Sequence, residues 1–226
     1  MPSPSDLLLL ADGRLPAGGH AHSGGLEQAV ELGDVHDAGS LHAFLLGLLT
    51  SSAQTGIAAA AAAAHAWEAG DDQALLDLDA EESARMPSAW LRGASRAQGR
   101  QLLRAAAAIW PPVQSVVLPP LPHGPHLSLA QGITAARLDL APVDAARLAA
   151  YGAMTGPATA AVRLLGLDPF GVHGIVAQAM ASAEPVIVAA AEHAAGPAWL
   201  LPGGTAPLLE IGAELHRSRE IRMFAS

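Results

Sequence analysis

The apolar positions of this chain fall into long runs dominated by Ala and Leu, separated by Gly, Pro and clustered acidic residues. β-Branched and aromatic runs are scarce, while Ala, Leu and Arg lose little side-chain freedom in a helix, so the pattern predicts an all-α fold. Ser23 stands where it can cap a first helix over 23–32, with Glu27 near the positive end of the dipole and Gly33 closing it. Asp37 or Ser40 starts a long helix that runs to Trp67 and stops at Gly70, after which Asp71 and Asp72 can cap a short acidic helix to Ser83. Pro87 and Ser88 open the next helix through Ile109, and Pro111 with Pro112 ends it by removing donors and excluding helical dihedrals upstream. A proline-rich connection occupies 110–125. Helical patterns resume over 128–138, 143–165 and 169–194, with kinks expected at Pro157 and Pro185. A loop at 196–207 leads to 208–226, where a short helical pattern runs into a charged end.

Helices this rich in Ala approach closely and leave Leu, Val and Trp to fill the gaps. The expectation is a single-domain multi-helix bundle over 1–226, with an N-terminal segment and glycine-rich opening at 1–22 and a partner-binding tail at 208–226. Hydrophobic residues make up 51% of the chain, and an apolar face left over from such a bundle is expected to bury itself in a homodimer.

Composition narrows the chemistry. Cysteine is absent, which excludes a disulfide framework, a thiolate metal site and a cysteine nucleophile. All 12 Lys and Arg positions are Arg; without Lys there is no Schiff base and no Walker-type phosphate lysine, so the chain is not expected to hydrolyse GTP itself. A formal charge of −9 opposes nucleic-acid binding. Partners are expected among proteins or cations, with no cofactor. Leu7 to Leu10 lack a preceding basic region, and Asp6 and Asp12 flank a run too short for a signal peptide, which points to a cytoplasmic protein. The uncharged stretch 38–67 has the length of a membrane span. Thr50, Ser51, Ser52, Gln54 and Thr55 interrupt it, however, and its second half is mostly Ala, so no insertion is expected.

The densest local signal is Leu15-Pro16-Ala17-Gly18-Gly19-His20-Ala21-His22-Ser23-Gly24-Gly25-Leu26-Glu27. Ala21-x-Ser23-x-Gly25 approximates a nucleophile elbow with His22 or His36 as base, which makes a serine hydrolase using Ser23 one alternative function. An elbow needs a strand leading into it, and 6–16 offers at best a short apolar helix. A second alternative is a helical nickel-binding protein, in which His20 and His22, with His36 or His42, present imidazoles to nickel or zinc. Arg92, Arg96, Arg100 and Arg104 recur every fourth residue and share one helical stripe. Their counter-charges are expected inside the fold, from Asp71, Asp72, Asp77, Asp79, Glu81 and Glu82, in preference to a partner. The closing run mixes Arg217, Arg219 and Arg222 with Ile221, Met223 and Phe224, and it either frays or orders on a partner, since Arg and aromatics favour interface cores.

Four blocks, in this order and spacing, resemble the urease accessory protein family UreF over nearly the whole chain. They are Leu15-Pro16 through Gly25-Leu26-Glu27, Arg92 with Ser95 through Gln98-Gly99, Ala160-Ala161-Val162-Arg163-Leu164, and Leu215-His216 through Ser226. The resemblance implies an all-helical homodimer that is a scaffold rather than an enzyme. Such a scaffold bridges the urease-binding accessory protein UreD (also called UreH) and the GTPase UreG during nickel insertion into the urease apoprotein. It further implies that the C-terminal segment contributes to UreD contact, here through Arg217, Arg219, Arg222 and Phe224. The opening, with Gly18, His20, His22, Ser23, Gly25 and Glu27, is similar to the surface that meets UreG, and Arg92 and Arg163 complete the expected partner-binding set. Two departures stand out: His20 and His22 occupy positions usually aromatic, and Asp168-Pro169-Phe170-Gly171 replaces a polar, Gln-containing turn.

Overall fold

The computed structural model describes residues 4–218 and 222–225, and these form eleven α-helices, two 3-10 turns and no strand. The helices are α1 (Pro4–Ala11), α2 (Leu26–Glu31), α3 (Ala38–Leu49), α4 (Ser52–Ala69), α5 (Asp72–Ala84) and α6 (Ala89–Ile109). After these come α7 (Pro111–Gln114), α8 (Leu127–Arg137), α9 (Pro142–Leu165), α10 (Pro169–Glu192) and α11 (Pro207–Arg217). Side-chain caps set several of the starts. Asp37 accepts from the Ser40 amide at 2.8 Å while Ser40 Oγ accepts from the Asp37 amide at 3.0 Å, and Asp71 accepts from the Ala74 amide at 2.9 Å. Gly70 (φ 67°) closes α4 and Gly166 (φ 64°) closes α9 in the left-handed conformation that costs glycine least. α9 and α10 both continue as helix through Pro157 and Pro185.

Three boundaries differ from the sequence pattern, each for a local reason. The predicted helix from Asp37 to Trp67 is two helices meeting at 48°. Thr50 Oγ1 donates to the Leu46 carbonyl (3.1 Å) and Ser51 Oγ to that of Gly47 (2.6 Å), so hydroxyls compete for the carbonyls that would carry the helix onward. The first predicted helix begins three residues late, at Leu26, because Gly24 and Gly25 take φ of 61° and 86°; Ser23 Oγ still accepts from the Glu27 amide, at 3.3 Å. Within the proline-rich connection, Pro111 and Pro112 start the short α7 as well as stopping α6, since a first helical turn has no use for their missing N–H groups.

α4 lies at the centre, packed on α5, α8, α9 and α10, with Ala59, Ala60, Ala61, Ala63 and Ala64 fully buried. α8 comes closest at Gly132. A methyl there would run into the Ala60 carbonyl oxygen and approach Ala63 Cβ to 2.8 Å, so the two backbones touch where neither side carries more than a methyl. α6 packs on the far side of α8, and α11 sits across α6 and α2. At the start of α8, a Cβ on Gly99 of α6 would run into the Pro125 carbonyl oxygen and come within 2.9 Å of that of His126.

Polar side chains tie α5, α6 and α8 together beneath the surface. Arg96 pairs with Asp79 at 2.7 Å, His126 sits between Ser83 (2.9 Å) and Ser95 (3.0 Å), and Ser128 Oγ donates to the buried Glu82 carboxylate. Burial, reinforced by the Asp79 charge, outweighs the Ser128 hydrogen bond and the Arg96 charge and pushes Glu82 up to about 7. His126 moves the other way, to about 4, mainly through burial and then through Arg96. A carboxyl whose folded value is raised contributes its stability below the unfolded value and loses it as pH rises through the folded one. Substituting Glu82→Gln should therefore leave stability near pH 4 little changed and raise it progressively between pH 4.5 and 7, by about 3 kcal/mol at the plateau. Urea unfolding across that range measures the difference, in which the opposing His126 contribution cancels; a pH-independent gap would refute a neutral buried Glu82.

Candidate functional site

The glycine-rich opening folds into a compact turn rather than an extended loop. Gly18 (φ 82°) leads into a 3-10 turn at Gly19–Ala21, and Gly24 and Gly25 deliver the chain into α2. The positive φ values coincide with close approaches. A Cβ on Gly25 would lie 2.6 Å from Leu209 Cδ2 of α11, and one on Gly24 would lie 3.0 Å from Pro157 of α9. Glycine is needed here on both conformational and steric grounds.

Glu27 is the hub of this region. Its side chain is buried, and its two carboxylate oxygens accept the amides of Met223 (2.7 Å) and Phe224 (2.9 Å) near the other end of the chain. His216 of α11 approaches both acceptors through Nε2, at 3.5 Å from Glu27 and 3.2 Å from the Phe224 carbonyl, so Nε2 carries the proton. The Ala225 amide donates to the Ala21 carbonyl at 2.7 Å. Arg163 of α9 caps the Phe224 ring at 4.7 Å, and Arg222 lies over Trp90 of α6 at 5.5 Å. At the start of α6, the Ser88 amide donates to Glu210 and Ser88 Oγ to Glu214, both at 2.6 Å. Gln101 of α6 reaches the Pro16 carbonyl at 2.8 Å. Segments 15–27, 88–101, 163, 207–218 and 222–225 thus converge on one face of the bundle.

The individual candidates occupy different positions on this face. Ser23, Glu27 and Phe224 are buried, so what they can offer a partner is the placement of the surface around them. Gly18, Gly25, His22 and Arg92 are partly exposed, while His20, Arg163, Arg217 and Arg222 are exposed. Arg217 pairs with Glu214 at 3.5 Å, and Arg219 lies outside the described residues. The closing segment neither frays nor waits for a partner over 222–225; it is already docked on its own chain. Ser88, Trp90, Glu210 and Glu214 belong to the same cluster and are absent from the sequence-derived set, because pairing across more than 120 residues leaves no local pattern. Around them α11 presents Leu208, Ile211 and Leu215, each more than half exposed, beside exposed Met223.

Neither alternative chemistry finds its geometry. Ser23 is buried beside a helix start with no strand before it among the described residues, so it is not a nucleophile elbow. Among those residues no three His, Asp or Glu side chains converge as a metal site, and burial followed by the His20 charge lowers the pKa of His22. The arginine stripe divides as well. Of the four, only Arg96 draws on the acidic segment, through Asp79, while Arg92 donates to the carbonyls of Met86 and Pro87, Arg100 to that of His123, and Arg104 to Gln101 Oε1.

The glutamate hub carries a measurable consequence. Glu27→Gln keeps the volume but can accept only one of the two tail amides, and it should cost about 1–3 kcal/mol. Amide exchange at Phe224 should accelerate together with the drop in urea midpoint. Unchanged exchange would show that the tail is held by other contacts.

Comparison with known proteins places this arrangement. The UreF family model matches residues 35–180. A urease accessory protein UreF of Mycolicibacterium vanbaalenii is 42% identical over the whole of both chains. The one of Mycobacterium marinum is 43% identical over 97% of each, and the one of Mycobacterium tuberculosis 40% identical over the whole of both.

Proposed function

This chain belongs to the UreF family of urease accessory proteins, which are not enzymes, and from that premise we propose that it is the scaffold that joins UreD (UreH) to UreG while nickel is inserted into urease. The observation that carries this reading is the convergence described above. Glu27 gathers the opening and the closing segment into one surface, and that surface leaves Leu208, Ile211, Leu215 and Met223 in water beside Arg217 and Arg222. Apolar anchors rimmed by arginine are the composition of binding hot spots. The α11 side is assigned to UreD and the glycine-rich opening, with Gly18, His20 and His22, to UreG. Ser23, Gly25, Glu27, Arg163 and Phe224 set the shape of that surface from beneath or beside it, Arg92 lies at its margin, and Arg219, outside the described residues, is assigned to the UreD contact with the rest of the closing segment. The urease apoprotein is reached through UreD, and the work is done in the cytoplasm without a resident cofactor.

Self-association fits α10. This helix is long and apolar enough by length and composition to cross a membrane, and only 22% of its most apolar window is buried. Phe170 (89% exposed), Gly174, Ala177, Ala181 and Val188 form one exposed stripe at helical spacing. The helix also carries Gln178, Ser182 and a Glu184 paired with Arg147 at 2.7 Å, groups that hydrocarbon disfavours and a protein interface accepts. A second copy, packing small residue against small residue, is the occupant that suits it.

Two measurements test these assignments. The double substitution Ile211→Asp and Leu215→Asp alters only exposed positions, so thermal unfolding should be nearly unchanged while co-elution with UreD on size exclusion is lost. Retention of the complex would remove α11 from the interface, and intact nickel-dependent urease activity in cells lacking this chain would overturn the scaffold reading itself. Ala181→Glu should convert a dimer into a monomer by sedimentation; a wild-type chain that sediments as a monomer, or a variant that stays dimeric, rules out the α10 contact.

A further inference from the structure

A second surface, on the outer side of α6, has a charge opposite to that of the chain as a whole. Arg92, Arg96 and Arg100, successive turns of one helix, line an open recess of about 560 Å³ whose opposite wall is Pro122, His123 and Gly124. Arg96 is neutralised by Asp79 and also donates to the Gly124 carbonyl and, at 2.9 Å, to Ser83. Arg92 and Arg100 are not. Among the described residues no carboxylate lies within ion-pair distance of either one. Glu210 and Glu214 feel the Arg92 charge, but their hydrogen bonds go to Ser88 and Trp90.

The two guanidinium groups are held by carbonyls and still have donors to give. Arg92 donates through Nη1 to Met86 (2.6 Å) and Pro87 (2.8 Å), and Arg100 through Nη1 to His123. Each keeps its Nε and Nη2 donors, a planar edge that matches a carboxylate at two points. The opposite wall is shaped for this. Gly124 has φ 76°, and a Cβ there would come within 2.7 Å of Arg100 Cγ and 2.9 Å of Cδ, so the stem of Arg100 lies where any other residue would put its side chain.

The donor set identifies the kind of anion. Pro122 has no N–H, the Gly124 N–H is used by the Leu121 carbonyl at 2.9 Å, and the wall meets Arg96 and Arg100 through the carbonyls of Gly124 and His123. A phosphate cradle presents several converging backbone N–H groups, and this wall, with Pro122 lacking one and that of Gly124 engaged, has no such set. Arg92 and Arg100 are separated by about 12 Å of helix rise, wide for one small oxyanion and suited to carboxylates spaced along a chain. We infer that this recess binds an acidic peptide segment of a partner protein, with carboxylates seated on Arg92 and Arg100. In a chain of charge −9 such a locally cationic trough admits an acidic segment at one place only and so orients it. The inference does not depend on which protein supplies the segment or on the scaffold reading.

Fluorescein-labelled hexaglutamate titrated into the full chain at low ionic strength, read by anisotropy, provides the test. Binding should saturate, weaken with salt, and fall roughly tenfold on Arg100→Gln, the loss of one good charge pair. Arg14→Gln, which removes an exposed arginine already paired with Asp12 at 2.7 Å, should leave it unchanged. Arg100 is the preferred position because it is exposed, whereas Arg92 also secures the chain ahead of α6. No saturable binding by the wild type, or equal binding by Arg100→Gln, overturns the proposal. So does tripolyphosphate displacing the probe more effectively than unlabelled hexaglutamate, which would make the recess a site for small phosphate anions.

Discussion

Backbone-to-backbone contact between α4 and α8 is the constraint from which the rest of this structure follows. Gly132 faces the Ala60 carbonyl with no side chain between them, and the surrounding alanines fill the little space that remains. Dispersion between closely spaced backbones and methyl groups is collectively large, although each contact is weak. The consequence is a narrow core. Leu26, Leu41, Leu45, Ile57, Leu75, Leu129, Ile133, Met154 and Ile187 are fully buried in it, and many other large apolar residues find no place inside. Phe170, Trp199, Leu200, Leu208 and Ile211 are exposed for that reason. A protein with a tight small-residue centre and surplus apolar surface is suited to contacts with other chains.

Charge is handled with the same economy. Few cations are available, and most are tied to a particular acceptor: Arg137 to the Pro112 carbonyl at 2.6 Å and Ser115 at 2.8 Å, Arg85 to Glu81 and the Trp199 carbonyl, and Arg147 to Asp144 and Glu184. Arginine suits this role because its planar fork can satisfy several loop carbonyls at once and stays charged under all conditions. Loops that lack regular structure, such as 115–126, are thereby fixed against helices. Buried carboxylates do the complementary task for backbone amides, as Glu27 does for Met223 and Phe224. These long-range ties explain why the two ends of the chain meet.

The two proposed recognition surfaces differ in physical character. Around α11 the exposed groups are apolar with arginine at the rim, and burial would supply most of the affinity there. Along α6 the recess is polar, its arginines are preset by carbonyls, and it would contribute orientation more than strength. α10 supplies a third, small-residue face. Three such faces of different chemistry on one bundle would allow several chains to be held at once, with Arg92 lying where the first two adjoin.

Much of this was determined by the sequence alone. The all-helical class followed from Ala, Leu and Arg usage; starts at Asp37 or Ser40, at Asp71 or Asp72 and at Pro87-Ser88, and the stop at Gly70, followed from local capping chemistry; and the absence of Cys and Lys excluded whole classes of catalysis. Membership of the family was visible in four short blocks. Only the tertiary structure decided that those blocks meet, that Glu27 and Phe224 lie beneath the surface, that α3 and α4 separate at Thr50, and that Arg92 and Arg100 stand without a carboxylate among the described residues while Arg96 has one. The reason is one of range. Caps, turns and propensities act over three or four residues and are written in local pattern, whereas a hydrogen bond from Phe224 to Glu27 depends on how every helix between them packs.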